Sequence, residues 1–127
     1  MPLAHEPTAA RYAVLGYSAG AVRLRDRLVV QSAIITASAV RDWPVRSVAE
    51  LDVPLLEPLL TLGVEIVLLA TGARQEFPAR SVLARAAAAG IGLEVMDLGA
   101  ACRTYNVLLA EDRPVALAVI FPAPPAT

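Results

Sequence analysis

Three apolar runs divide the second half of the chain: Glu65–Ala70, Leu93–Met96 and Val115–Phe121. Helix-like segments separate them, Ala79 to Ala89 and roughly Gly99 to Ala110. A strand–helix–strand–helix–strand order restricts the fold more than any other feature, because it builds βαβ units around parallel strands. The run at Glu65–Ala70 has no polar alternation, as expected of a strand covered on both faces. Pro78 sits where a first helical turn tolerates it, and Gly90 follows the end of the helix it opens.

The first half has a different style. Tyr12–Tyr17 and Ala21–Leu24 read as short strands, with Ser18-Ala19-Gly20 as the hairpin connection. Leu28–Val30 and Ala33–Thr36 continue the pattern, as one strand with a bulge or as two. Arg23, Arg25 and Arg27 alternate, which describes the outer face of a strand or hairpin. Ser47 and Glu50 have capping-box spacing, predicting a short helix to about Asp52. Pro54 ends it or starts a second helix running to Leu62, with Gly63 as the stop.

The expected architecture is α/β: a single three-layer domain over residues 11–121, with a central mixed β-sheet, antiparallel N-terminal strands and C-terminal βαβ units. Residues 1–10 read as a loose N-terminal arm, and 122–127 as a disordered Pro-rich tail. With 127 residues the chain can bury a core without disulfides or metals.

Composition narrows the function classes. The 57% hydrophobic content is inflated by alanine and does not concentrate into a membrane span. The N-terminus lacks the basic and apolar regions of a signal peptide. One cysteine, Cys102, rules out an internal disulfide, so a cytoplasmic localisation is expected. Net charge is −1, with every basic residue an arginine and no basic stripe, which argues against nucleic acid. The one histidine, His5, lies in the arm, so a catalytic set or a metal site using histidine is not expected, and no cofactor is implied.

Ligands of open α/β sheets gather at the carboxyl ends of parallel strands. That rule selects Thr71-Gly72-Ala73-Arg74 and the segment from Asp97 to Asn106. A glycine turn with Arg74 beside it suits an anion, or is simply a tight turn. Asp97 caps the following helix or acts as a lone carboxylate. Cys102 needs a base, a cation or a helix start to become a nucleophile. It also shares an apolar stripe with Leu98, Ala101, Tyr105 and Leu109, the pattern of a buried thiol. Arg103 and Asn106, three residues apart, either bind a carboxylate or amide or fasten the helix. Trp43 is core packing or an interface anchor.

Asp42-Trp43, Leu68-Leu69-Ala70-Thr71-Gly72, Pro78, and Glu94-Val95-Met96-Asp97 leading into Ala100–Leu108 resemble domain-of-unknown-function family 498. That family includes mitochondrial NADH dehydrogenase (complex I) assembly factor 3. The Cys102-Arg103-Thr104-Tyr105-Asn106 segment is the most specific part of a likeness running from about Tyr12 to Phe121. Ala70 replaces a frequent glycine and Leu98 a common threonine, and both departures weigh against a polar pocket. The resemblance implies a three-layer α/β fold with a mixed sheet and no established reaction. It marks Thr71, Gly72, Asp97, Arg103, Tyr105 and Asn106 as a common surface.

Two functions are therefore expected. One is a non-enzymatic binding or assembly-factor-like protein with a protein partner reached through Trp43 or the Arg103 region, a homodimer through an exposed apolar face being a further option. The alternative is a binder or enzyme for a small anionic metabolite, using Thr71, Gly72, Arg74, Asp97, Arg103, Tyr105 and Asn106.

Overall fold

The computed structural model describes residues 12–122. The expected arm at 1–10, His5 within it, and all but the first residue of the tail at 122–127 lie outside them.

A five-stranded sheet forms the centre. Its strands are β4 (Ala33–Ile35), β5 (Val40–Asp42), β6 (Ile66–Ala70), β7 (Gly92–Met96) and β8 (Val115–Val119), in the order β5-β4-β8-β6-β7. β8, β6 and β7 are parallel, while β4 runs antiparallel to both β5 and β8. Helix α1 (Val53–Leu60), α2 (Arg80–Ala88) and α3 (Leu98–Ala110) connect or flank these strands. A separate antiparallel sheet, β1 (Gly16–Ser18), β2 (Ala21–Arg23) and β3 (Leu28–Val29), precedes them.

Period-two alternation sorts the core into two layers. Val67 and Leu69, Ala116 and Ala118, and Ile34 point toward α1 and α2. Leu68 and Ala70, Leu117 and Val119, and Ala33 and Ile35 point toward α3 and the small sheet. Val67 through Ala70 are fully buried. Each such large aliphatic side chain contributes roughly 1.5–3 kcal/mol.

The strand order explains why the helices take opposite faces. The chain steps from β6 to its neighbour β7, then returns across β6 to β8. Crossovers keep one hand, so reversing the direction of travel transfers the connecting helix to the other face. Val82 and Ala86 of α2 accordingly pack in one core layer, and Ala101, Tyr105 and Leu109 of α3 in the other.

Several local expectations are corrected. The first strand begins at Gly16, not Tyr12, because the segment before it is held by side chains of α3 (below). Leu28–Val29 and Ala33–Ile35 are not one bulged strand: they belong to different sheets. Ser47 does cap a turn, accepting from the Glu50 amide at 3.3 Å. The Glu50 carboxylate in return takes the Arg46 amide at 3.0 Å, one residue earlier than a standard box. That turn is only the 3-10 segment Val48–Glu50, because Asp52 leaves it to become the N-cap of α1. Helix α1 ends at Leu60 and carries Pro58 inside it. Pro78 precedes the N-cap Ala79 of α2, outside the helix.

Candidate functional site

The connections leaving the adjacent strands β6 and β7 depart to opposite faces, and a crevice opens where such connections diverge. An open cleft of about 820 Å³ occupies that place. Its lining comes from four regions: the β1–β2 turn (Tyr17–Gly20), Arg46–Val48, the two strand-end loops (Thr71–Ala73, Glu76 and Asp97–Gly99), and Ile120–Pro122 after β8.

The two loops are stitched together by backbone. The Thr71 amide donates to the Met96 carbonyl at 2.9 Å, and the Leu98 amide to the Gly72 carbonyl at 2.7 Å. Gly72 has φ +99°, a conformation a side chain would strain, and it is this turn that aims its carbonyl at Leu98. The Thr71 hydroxyl lies 2.6 Å from the Arg74 carbonyl and 3.2 Å from that of Met96, and accepts the Glu76 amide at 3.1 Å. Its one proton and one of its lone pairs are spent inside the loop. Asp97 caps α3, its carboxylate accepting from the Ala100 amide at 2.9 Å.

Helix α3 ties the start of the described chain to the sheet. The Asn106 side-chain amide grips Val14 twice, accepting from its N–H and donating to its carbonyl, each at 2.8 Å. The fully buried Tyr105 hydroxyl donates to the Tyr12 carbonyl at 3.0 Å, and burial holds its pKa well above the usual value. Arg103 donates to the Tyr17 hydroxyl above Gly99. A Cβ at Gly99 would stand 3.0 Å from both that guanidinium and that hydroxyl, so the missing side chain is what lets the pair lie across the helix start.

The structure therefore separates the residues singled out in the sequence. Thr71, Gly72 and Asp97 line the cleft. Arg74 is exposed on the same loop but outside the lining. Arg103 reaches the site through Tyr17, whereas Tyr105 and Asn106 face the segment at Tyr12–Val14. Trp43 is 3% exposed and donates from its indole nitrogen to the Leu55 carbonyl at 2.9 Å, joining the β5 exit to α1. Cys102 is buried, and desolvation pushes its thiol up to about 11 against a smaller opposing effect of Arg103.

Sequence reasoning missed Tyr17–Gly20, Arg46–Val48 and Ile120–Pro122. No local signal marks them, because only the strand order brings them to the two loops. The cleft's ionic groups are Arg46, Glu76 and the capping Asp97, set among Val48, Leu98, Ile120 and Phe121. Among the described residues no His, Cys, Asp and Glu side chains gather in a group able to hold a metal, and no helix is long and apolar enough to cross a membrane. Such a lining is suited to holding an apolar group while backbone and Arg46 orient it.

Comparison with known proteins agrees with this architecture. Residues 14–120 match the model of a family described as protein of unknown function (DUF498/DUF598). A zebrafish (Danio rerio) protein named NADH dehydrogenase [ubiquinone] 1 alpha subcomplex assembly factor 3 is 32% identical over 111 residues, covering 86% of this chain and 64% of its own length. The chain spans 53–64% of the length of the curated relatives it matches. The NMR structure of a Xanthomonas campestris protein superimposes with TM-score 0.85 at 38% identity, covering 100% of this chain and 97% of that one. A crystal structure described as an outer membrane protein from Bartonella henselae gives TM-score 0.78 at 26% identity, over 91% and 98%.

Proposed function

The chain belongs to the DUF498/DUF598 family, and from that premise we propose that it is a non-enzymatic binding protein of assembly-factor type, which holds a segment of a partner protein in the cleft at the carboxyl ends of β6, β7 and β8. One observation carries this reading: three of the side chains singled out for chemistry are taken up by the fold. Thr71 and Asp97 hydrogen-bond within their own loops, and the Cys102 thiol is buried with a raised pKa. What remains open to a ligand is apolar surface, backbone, the Arg46 guanidinium and the Glu76 carboxylate, which suits an apolar anchor flanked by polar groups. The assembly role named for the zebrafish relative points the same way. On this reading Thr71, Gly72, Arg74 and Asp97 form or border the docking surface, and Arg103 supports it through Tyr17. The compartment proposed is the cytoplasm, where a single free thiol stays reduced.

The test is Ala73→Trp, which fills the cleft from an exposed position without touching the core. Tagged wild-type protein from its own cells should co-purify a partner that A73W loses, with the far-ultraviolet spectrum and melting temperature unchanged. A partner retained in full by A73W sinks the proposal. A small anionic adduct in the native mass spectrum, lost on Arg46→Ala, would move the weight to a metabolite binder.

A further inference from the structure

Tyr17 lines the cleft from the β1–β2 turn, and its hydroxyl accepts from the Arg103 guanidinium across the first turn of α3. A phenol has one proton, and among the described residues nothing accepts that of Tyr17. The positive charge on the oxygen polarises the O–H, strengthening it as a donor and weakening it as an acceptor. Arg103 is absent from the lining, so what it brings to the cleft passes through the tyrosine.

Gly99 seats this pair. It lies in the first turn of α3 with an ordinary helical backbone, where alanine would favour the helix. What the position cannot hold is a side chain. A Cβ there would stand 3.0 Å from the guanidinium nitrogen, 3.0 Å from the hydroxyl and 3.1 Å from the Tyr17 ring. The glycine is therefore explained by the phenol lying over it, and not by the path of the chain.

The charges of the cleft select the group that this O–H meets. Two carboxylates, Glu76 and Asp97, line it with one guanidinium, Arg46. A third carboxylate would add to the acidic excess, whereas a carbonyl oxygen accepts the proton and brings no charge. We propose that Tyr17 is the specificity-determining donor of the cleft: its hydroxyl, held by Arg103 over Gly99, donates to a carbonyl oxygen of the docked partner segment. The inference rests on the reading of the cleft as a docking site and adds the contact that fixes register. Apolar surface at Leu98, Ile120 and Phe121 holds the segment, and the O–H sets where along it a carbonyl must fall. Arg103 is a positioning residue that acts through Tyr17.

The test uses the full chain and the partner that wild-type protein co-purifies, isolated and titrated by calorimetry. Tyr17→Phe keeps the ring over Gly99 and removes only the O–H, so it should weaken binding about tenfold at an unchanged melting temperature. Arg103→Ala should also weaken binding, and the double variant should be no weaker than Tyr17→Phe alone. Gly99→Ala pushes aside the ends of two flexible side chains, so it should melt at or above the wild-type temperature yet bind as poorly as Tyr17→Phe. Wild-type affinity in Tyr17→Phe, with the partner still lost by Ala73→Trp, overturns this inference and leaves the docking reading standing. A partner retained by Ala73→Trp overturns both. A double variant weaker by the product of the two single losses shows Arg103 touching the partner itself, which overturns its positioning role.

Discussion

Replacing Asn106 by alanine should cost more stability than any other polar substitution on α3 that leaves the core intact. The Asn106 amide completes both backbone groups of a single distant residue, Val14, at 2.8 Å each, as the Ser32 hydroxyl does for Phe121. Each bond contributes about 0.5–1.5 kcal/mol net, and a buried backbone group left unpaired adds its own desolvation cost. Val14 is only 7% exposed, so water reaches the orphaned groups poorly. The expected loss is about 2–3 kcal/mol. For a chain of this size that lowers the melting temperature by roughly 7–10 °C. Calorimetry reads the shift, and hydrogen exchange at the Val14 amide locates it, since that amide should lose its protection. Asn106→Asp keeps an acceptor for the amide but sets a carboxylate against the Val14 carbonyl, so it should not rescue. A shift below about 2 °C, the size of an ordinary surface substitution, or an unchanged Val14 exchange rate would refute the reasoning. Asn106 would then be free to serve a ligand.

Three further outcomes follow from the same geometry. Burial raises the Cys102 thiol from 9.0 to about 11, which favours the neutral form in the fold. A folded-state pKa above the unfolded one gives stability that is full below pH 9 and is lost as pH rises toward 11. The unfolding free energy read from urea melts should therefore fall across that window by up to about 3 kcal/mol, and Cys102→Ala should flatten the fall. Asp97→Ala removes the cap on the Ala100 amide and should cost about 1 kcal/mol in chemical denaturation, while Asp97→Asn, which keeps the acceptor, should cost much less. The Trp43 indole is buried and hydrogen-bonded to Leu55, so its fluorescence should be blue-shifted and resist acrylamide until the protein unfolds. Emission near that of free indole would contradict the placement.

Periodicity and punctuation were enough to read the core strands, the helix that Asp97 caps and the α/β class, because those features are written within a few residues of one another. An apolar run such as Ile66–Ala70 has nowhere to go but the middle of a sheet, and a capping aspartate bonds an amide three residues away. The family-like Cys102–Asn106 segment was legible too, but its purpose was not. Whether Asn106 meets a ligand or Val14 depends on a contact across 92 positions of sequence. The split of Leu28–Val29 from Ala33–Ile35 was equally hidden, since nothing local says which sheet a short strand will join.

By itself, then, the sequence determined the strand–helix order that makes a mixed sheet with a parallel part, the apolar helix stripe on which Cys102 sits, and the loops from which a site could be built. Only the tertiary structure decided the site. Strand order carries the β1–β2 turn, Arg46–Val48 and Ile120–Pro122 to the ends of β6 and β7, and none of those segments carries a mark of that destination. Hydrogen bonds and apolar contacts within one element are encoded by spacing. Those between elements exist only once the chain has closed its long loops, and which partners then meet is settled by the packing of the whole molecule.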